Sequence, residues 1–436
     1  MGVTKGFPIL TALAALLLAG VSIDDAAAQP ADPFAWPRAN PEGQSVRNRP
    51  RPELDPLGVR VGTFRFYPSL DVEAHYEDNV FRSASNERGD FSALIRPRFR
   101  LESDWPVHAL ALEAEASARQ YADETSENRE TFKVGASGRL DLIRDASLTG
   151  RASYARDHES RVSPDSGRPE KPVRYDLAAA DVRGDVRLGL FNLRAEAGAD
   201  RFNYEDARQT GTGVVINHDD RDRTVGRAAL RGGYEPVRGT EVYLRVEGIG
   251  SDYDDKVDDG GFDRDSAGAD VRVGAAFSGD GVTAGEVYVG FRGQYYQDDG
   301  PNRLNRDEVE ALILGGRFTS NVTTLTTIYG AADRGVFEST LAGSPGGVAT
   351  RAEVGVDHEL LRNLLLNASI GGRVFEFEGI DRDDYGLLFR FGAEYLMNRN
   401  LSLVGAFEHE TYRSSGARQG IDNTSNRVML RLTAQP

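Results

Sequence analysis

Apolar and polar residues alternate strictly along residues 175–200, and this alternation predicts a β-hairpin. The even positions of 178–188 are apolar or glycine, while charged side chains dominate the odd positions. After a tight turn at 189–192 the phase changes, and the odd positions from Phe191 to Ala199 become the apolar set. A strand with one apolar and one charged face lies between two different environments. Lipid outside and water inside suit this pattern, which predicts a transmembrane β-barrel.

The alternation repeats from Val61 onward in about eighteen strand-like segments, although about sixteen strands would also fit. The connections alternate in length. Short turns such as 104–105 and 362–363 lie between long segments such as 159–171 and 335–347. Short turns at one end and long extracellular loops at the other are typical of outer-membrane barrels. We therefore predict an all-β fold, an antiparallel up-and-down barrel over residues 61–436.

The apolar faces of the other segments agree with this interpretation. Alternate residues of 224–234, 267–277, 287–295, 364–374 and 385–395 include no charged side chain, although 28% of the chain is charged. A basic residue at the bilayer midplane costs about 2–4 kcal/mol, which explains this exclusion. Aromatic residues at the ends of these faces fit an interfacial girdle. They include Tyr234, Tyr295, Tyr385 and Tyr395.

Composition excludes several other classes of protein. The chain has 436 residues, a net charge of −16 and no cysteine. The negative charge argues against nucleic acid as a partner. Beyond residue 25 no run of about 18 apolar residues exists, so a helical membrane protein is excluded.

The amino terminus reads as an export signal followed by an arm. Residues 1–28 combine Lys5, an apolar stretch at 9–21 and three alanines, which predicts a secretory signal peptide cleaved between Ala28 and Gln29. Residues 29–60 are rich in proline and predict a partly disordered arm, or a plug, on the periplasmic side. The expected location is the bacterial outer membrane, with lipid and lipopolysaccharide as neighbours.

About eighteen strands enclose a lumen too wide to be filled by side chains. Inward positions carry charges of both signs. They form either a polar conduit for a hydrated, anionic solute or cross-strand ion pairs that fix the register. The predicted lumen-facing residues are Arg183, Arg187, Arg194, Arg227, Arg231, Arg245, Arg272, Arg292, Arg390, Glu113, Glu115, Asp181, Asp185, Glu196, Glu247, Asp270 and Glu394.

Signals for catalysis or metal binding are weak. His218 beside two aspartates is the one histidine–carboxylate cluster on a predicted loop, and neither a G-x-S-x-G nor an H-E-x-x-H motif occurs. We expect no enzymatic activity and no cofactor. The acidic loops offer weak Ca²⁺ candidates without EF-hand spacing, and a solvated loop explains them more simply. These candidates are Asp254, Asp255, Asp258 and Asp259.

The segments 51–64, 67–70 and 76–81 resemble the amino-terminal part of the VpsM-like family of outer-membrane β-barrel porins. The matching motif residues are Tyr67, Pro68, Tyr76, Asp78 and Asn79. The resemblance implies a conduit for export of an exopolysaccharide or capsular polysaccharide, working with a periplasmic polysaccharide-export protein. Turn chemistry alone would also account for Asp78 and Asn79.

Two other functions fit a wet barrel, and the sequence leaves the oligomeric state open. A diffusion porin, general or substrate-specific, would have a long loop folded into its lumen, for which 335–347 and 205–220 are the candidates. A structural or adhesive barrel would have a lumen filled by ion-paired side chains. The fold prediction is the same for all three functions.

Overall fold

A computed structural model describes residues 45–167, 169–278, 282–297 and 300–436 of the protein. The predicted signal peptide, its cleavage site at Ala28 and Gln29, and the first part of the arm lie outside these residues. Strands dominate the described residues, and no helix among them is long and apolar enough to cross a membrane.

The elements follow one another as strands joined by turns, with three single-turn 3-10 helices at Thr125–Glu127, Pro164–Ser166 and Asp219–Arg221 in the described segments. The strands are β1 Val59–Val61, β2 Phe64–Glu77, β3 Asp90–Ser103, β4 Ala109–Tyr121, β5 Arg129–Ile143, β6 Ala146–His158, β7 Arg174–Leu188, β8 Phe191–Tyr204, β9 Ala207–Arg208, β10 Val215–Ile216, β11 Arg223–Val237, β12 Thr240–Tyr253, β13 Ser266–Ser278, β14 Thr283–Tyr296, β15 Glu308–Thr323, β16 Thr326–Glu338, β17 Gly346–Leu361, β18 Leu364–Glu378, β19 Asp383–Asn398, β20 Leu401–Ser415 and β21 Asn423–Ala434.

The wall is a closed antiparallel barrel. Each long strand pairs with its neighbour in the chain, and β21 pairs with β2 to close the ring. The sheet has 19 strands, one of which is the short β1 paired only to β2, so the wall itself has eighteen. The prediction of an up-and-down barrel of about eighteen strands is confirmed. β9 and β10 form a separate small hairpin within one long loop.

The register keeps the apolar positions of neighbouring strands on one face. Val182 of β7 pairs with Ala197 of β8, and the side chains of Val182 and Leu188 are 44% and 57% exposed on the outer surface. A shift of one residue would turn every charged position toward lipid, so the apolar face fixes the pairing. The turn between these strands begins at Gly189, whose φ of +66° is strained for any other residue.

Asp78 and Asn79, of the motif that begins at Tyr76, lie where the barrel closes. The Asp78 carboxylate accepts hydrogen bonds from the backbone and side-chain nitrogens of Asn426, at 2.7 and 2.6 Å. The fully buried Asn79 side chain donates to the carbonyls of Ser83 and Thr424, at 2.8 and 3.0 Å. Local turn chemistry therefore accounts for one of these four contacts, and the other three join the end of the first wall strand to the last strand.

The described part of the arm packs against the periplasmic end of the wall. Val46 is fully buried, and its backbone N–H donates to the Thr327 hydroxyl at 2.8 Å. The buried Arg51 forms an ion pair with Glu359 at 2.8 Å. The composition of residues 29–60 suggested a segment without packing, but a salt bridge and one apolar anchor hold residues 45–57 in place.

Candidate functional site

The predicted lumen residues lie on the face of the wall opposite the exposed apolar side chains. Most of the arginines and carboxylates form ion pairs with one another. Two members differ, since Arg292 donates to the Gln294 side-chain oxygen at 2.9 Å and Glu394 lines a small cavity with Val46. The pairs are Arg183 and Arg194 with Asp185, Arg187 with Glu235, Arg227 with Asp181, Arg231 with Glu286, Arg245 with Glu196 and Glu247, Arg272 with Asp270, Arg390 with Glu408, Glu113 with Arg100, and Glu115 with Arg96.

Four arginines stand in one row around the lumen. Arg231 lies directly opposite both Arg194 and Arg245, and Arg245 lies opposite Arg272. Like charges in direct opposition are destabilising. Here each guanidinium has a carboxylate within hydrogen-bond range, so the row is neutralised in place. The ion pairs are compatible with this register, and a role of these residues in solute passage stays a prediction.

The wall departs from a simple barrel between β15 and β16. Their pairing runs only from the Thr323–Thr326 turn to Leu314 opposite Arg334. The outer half of β15, from Glu308 to Ile313, pairs with β14 but not with β16. The outer ends of β16 and β17 remain paired to each other and turn into the lumen. We call residues 336–348 the hairpin tip.

Two apolar clusters hold the hairpin tip inside the barrel. On one side Val336 and Val348 pack against inward residues of β14 and β15, including Val309 and Ile313, all nearly fully buried. On the other side the Phe337 ring makes edge contacts with Phe375 and Phe377, at 5.2 and 5.1 Å between centroids. The segment 335–347, one of the two candidates for a lumen loop, therefore enters the lumen as the end of a hairpin, with strand at 335–338 and 346–347 and a loop at 339–345.

A second segment reaches the hairpin tip from the far wall. Asp165, in the Pro164–Ser166 helix, accepts hydrogen bonds from the Ser339 hydroxyl at 2.7 Å and the Thr340 N–H at 3.0 Å. β7, β8 and β11–β16 separate the two loops on one side of the barrel, and β17–β21 with β2–β6 on the other. The loops therefore start from nearly opposite walls and meet across the extracellular half of the lumen. We call this contact the constriction.

Arg264 holds the turn of the hairpin tip. Its guanidinium is 2% exposed, pairs with Asp258 at 2.8 Å and donates to the carbonyls of Ser339 and Ser344. A buried charge of this kind is stable only with several hydrogen bonds and a counter-charge. Arg264 therefore attaches the 254–265 loop to the hairpin tip.

The loop that carries Asp165 is anchored by the next loop along the chain. Arg221 binds Glu159 at 2.6 Å beside His218, and all three are buried or nearly so. Burial opposes ionisation of Glu159, but the Arg221 guanidinium outweighs it and holds the pKa of that carboxyl below its usual value. Burial, followed by the positive charge of Arg221, lowers the pKa of His218 to about 4. Burial, reinforced by Asp219, raises the pKa of Asp222 to about 6.

Several predicted sites are not assembled by the fold. The 205–220 loop, the other candidate for a lumen loop, carries an exposed hairpin in which Val214 and Val215 are more than half exposed and pack against no apolar cluster of the hairpin tip. The buried His218 contacts Arg221 and forms no rim site. Asp254 pairs with Arg201, and no group of three or more metal-ligating residues occurs in the described part of the chain.

Sequence reasoning missed the residues of the constriction. Asp165 sits in a segment of ordinary turn composition, and acidic residues dominate the loop that contains Arg264. One signal was available, because the apolar pair Val336 and Phe337 continues the strand beyond Gly335. That continuation predicts a longer hairpin, although it does not say that the hairpin bends inward.

Comparisons with known proteins bear on the fold and the family. The family model described as "Putative beta-barrel porin 2" matches residues 51–436. The structure is similar to that of OccK2 (OpdF) from Pseudomonas aeruginosa, with 8% identity, a TM-score of 0.45, and coverage of 85% of this chain and 98% of that one. OccK1 (OpdK) from the same organism is 12% identical with a TM-score of 0.43, over 85% of this chain and 99% of that one. The siderophore receptor PirA, also from Pseudomonas aeruginosa, is 9% identical with a TM-score of 0.41, over 87% of this chain and 81% of that one. No curated protein matches the chain.

Proposed function

Because the chain belongs to this family of β-barrel porins, we propose that it is a constricted outer-membrane channel through which small hydrophilic solutes diffuse. The observation that carries the proposal is the constriction, where Asp165 meets Ser339 and Thr340 across the lumen. A barrel of eighteen strands is wide, so inward-folded segments decide which solutes fit. The dense ion pairs on the wall favour hydrated solutes over apolar ones.

Export of a polysaccharide, which the family resemblance implies, is the competing function. An extended polysaccharide chain occupies the whole length of a conduit at once. The buried hairpin tip and the segment carrying Asp165 would both have to leave the lumen before such a chain could pass. The tight packing of Phe337 and Val336, each 1% exposed, argues against such opening as a resting state.

The first test removes the hairpin tip. Gly335 and Ala349 are directly opposed, so residues 336–348 can be replaced by Asn-Gly to give a two-residue hairpin turn. We expect higher single-channel conductance in planar bilayers and faster swelling of proteoliposomes in larger sugars. A control removes the exposed residues 211–213 and keeps Arg208 and Gln209, which contact the loop that carries Asp165. Equal conductance in all three proteins would refute the role of the constriction.

A second test separates the two functions in cells. Deletion of the gene should reduce uptake of small sugars while leaving cell-associated and secreted polysaccharide unchanged, and the full-length gene should restore uptake. Loss of surface polysaccharide with normal uptake would instead establish export. If neither quantity changed, a structural or adhesive barrel would be the better description.

A further inference from the structure

We propose that Arg119 and Arg129 form a binding site for an oxyanion on the lumen wall, near its extracellular end. The inference rests on the proposed channel function and gives its solute a charge. The two residues are direct partners at the outer ends of β4 and β5. Both are half-buried, whereas Gln120 and Glu130 beside them are exposed on the outer face. The alternation therefore places both arginine side chains on the lumen face of neighbouring strands.

These two guanidiniums differ from the arginines of the wall that form ion pairs. In the described part of the chain, no carboxylate oxygen lies within 4.0 Å of the guanidinium of Arg119 or Arg129. The Tyr121 side chain lies beside Arg119, but it offers a hydroxyl and not a carboxylate. Uncompensated like charges in direct opposition are destabilising, so the pair needs an anion.

Four carboxylates near this end of the wall are committed to other partners. Glu73 binds His75 at 2.7 Å and Arg96 at 3.2 Å, and Glu77 binds Arg82 at 3.1 Å and Arg427 at 3.2 Å. The remaining two are held just as firmly. Glu127 binds Arg161, and Asp90 accepts the backbone N–H groups of Phe91, Asp123 and Glu124.

The residues below the two arginines extend the site with hydroxyls. Ser117 and Thr131, the next inward pair on the same strands, lie 2.7 Å apart and share one hydrogen bond. That bond uses one hydroxyl proton and leaves the other free to be donated. Two guanidiniums with an adjacent hydroxyl donor match a carboxylate or a phosphate, which accept several charge-assisted hydrogen bonds at once. We therefore infer that the transported solute carries a carboxylate or phosphate group.

The test measures anion binding and ion selectivity separately. Purified full-length barrel is titrated with inorganic phosphate and with acetate by calorimetry, and the reversal potential is recorded across a KCl gradient. Arg119→Gln and Arg129→Gln keep donors but remove the charge. Arg390→Gln, whose partner Glu408 lies at 3.1 Å, removes the same charge from an ion pair, and Arg413→Gln removes it from the half-exposed outer surface.

We expect each site variant to weaken binding of the preferred anion about tenfold or more and to lower anion selectivity, since a charged cleft raises the local anion concentration by about tenfold or more. Neither control should change binding. The midpoint of unfolding in urea should stay level or rise in the site variants, because a repulsion between like charges is relieved. It should fall in Arg390→Gln, because that change removes an ion-pair partner of Glu408.

Failure of the site and failure of the channel give different results. Binding of neither anion to the wild-type protein would overturn the site even if the channel conducts. A midpoint that falls in Arg119→Gln as far as in Arg390→Gln, with unchanged anion binding, would make the pair structural. Anion binding without any conductance would instead leave the site standing and overturn the proposed function. Tighter binding of phosphate than of acetate, or the reverse, selects the class of solute.

Discussion

Shortening Phe337 to alanine should loosen the constriction without disturbing the rest of the barrel. The ring is 1% exposed and packs edge-on against Phe375 and Phe377. Truncating a phenylalanine in such a site costs about 3–5 kcal/mol. This cost destabilises the state in which the hairpin tip lies inside the lumen, since the wall strands keep their pairing. Because about 1.4 kcal/mol changes an equilibrium constant tenfold, the population of molecules whose hairpin tip has left the lumen should rise by about 10²-fold or more.

The wall offers the released tip a defined alternative. Extending the register of Leu314 opposite Arg334 places Leu312 opposite Val336, so the tip could pair with the free edge of β15. The chain contains no cysteine, so a Leu312→Cys and Val336→Cys pair would report on this arrangement alone. The disulfide should form slowly in the otherwise unchanged protein and much faster when Phe337→Ala is added.

Single-channel recording provides the decisive measurement. Phe337→Ala should show transitions to a higher conductance, and the oxidised cysteine pair should hold that level until it is reduced. Phe291→Ala, on the lipid-facing surface of β14 and 52% exposed, is the matched control and should behave like the unaltered protein. Conductance and oxidation rates equal to those of the control would refute the claim that packing of Phe337 keeps the lumen narrow.

Three further predictions test the arm, the loops and the wall. Arg51→Ala should leave the buried Glu359 with only Arg49 and Arg362, each at 3.8 Å, should cost up to about 3 kcal/mol, and should speed trypsin cleavage of the arm, while adding Glu359→Gln should recover part of the loss. Folding lowers the pKa of His218 from 6.5 to about 4, so the stability that its neutral form contributes is complete above about pH 6.5 and is lost as the pH falls toward 4. Hydrogen exchange of the loops within residues 159–221 should therefore accelerate over this pH range. The acceleration should be smaller in His218→Gln. Val182→Arg, on the lipid face, should lower the free energy of unfolding in vesicles by about 2–4 kcal/mol, whereas Ala179→Arg in the lumen should cost much less.

The barrel could be predicted from the sequence because its rules are local. Strand alternation has a period of two, so Val182 and Asp181 reveal their faces without knowledge of any partner. The length of each connection likewise assigns it to one end of the barrel. Since each strand pairs with the next one along the chain, these local signals also determine the order of strands.

The interior was decided by contacts that no local pattern encodes. Asp165 meets Ser339 across a sequence separation of 174 residues, and Arg51 meets Glu359 across 308. The pattern of residues 336–348 suits a wall strand as well as a hairpin inside the lumen. The clusters around Val336 and Phe337 select the second arrangement, because burying both faces of the hairpin removes more apolar surface from water than pairing at the β15 edge. Likewise, Arg119 looks like any other inward arginine in the sequence, and only the ion-pair partners of its neighbours leave it without a counter-charge.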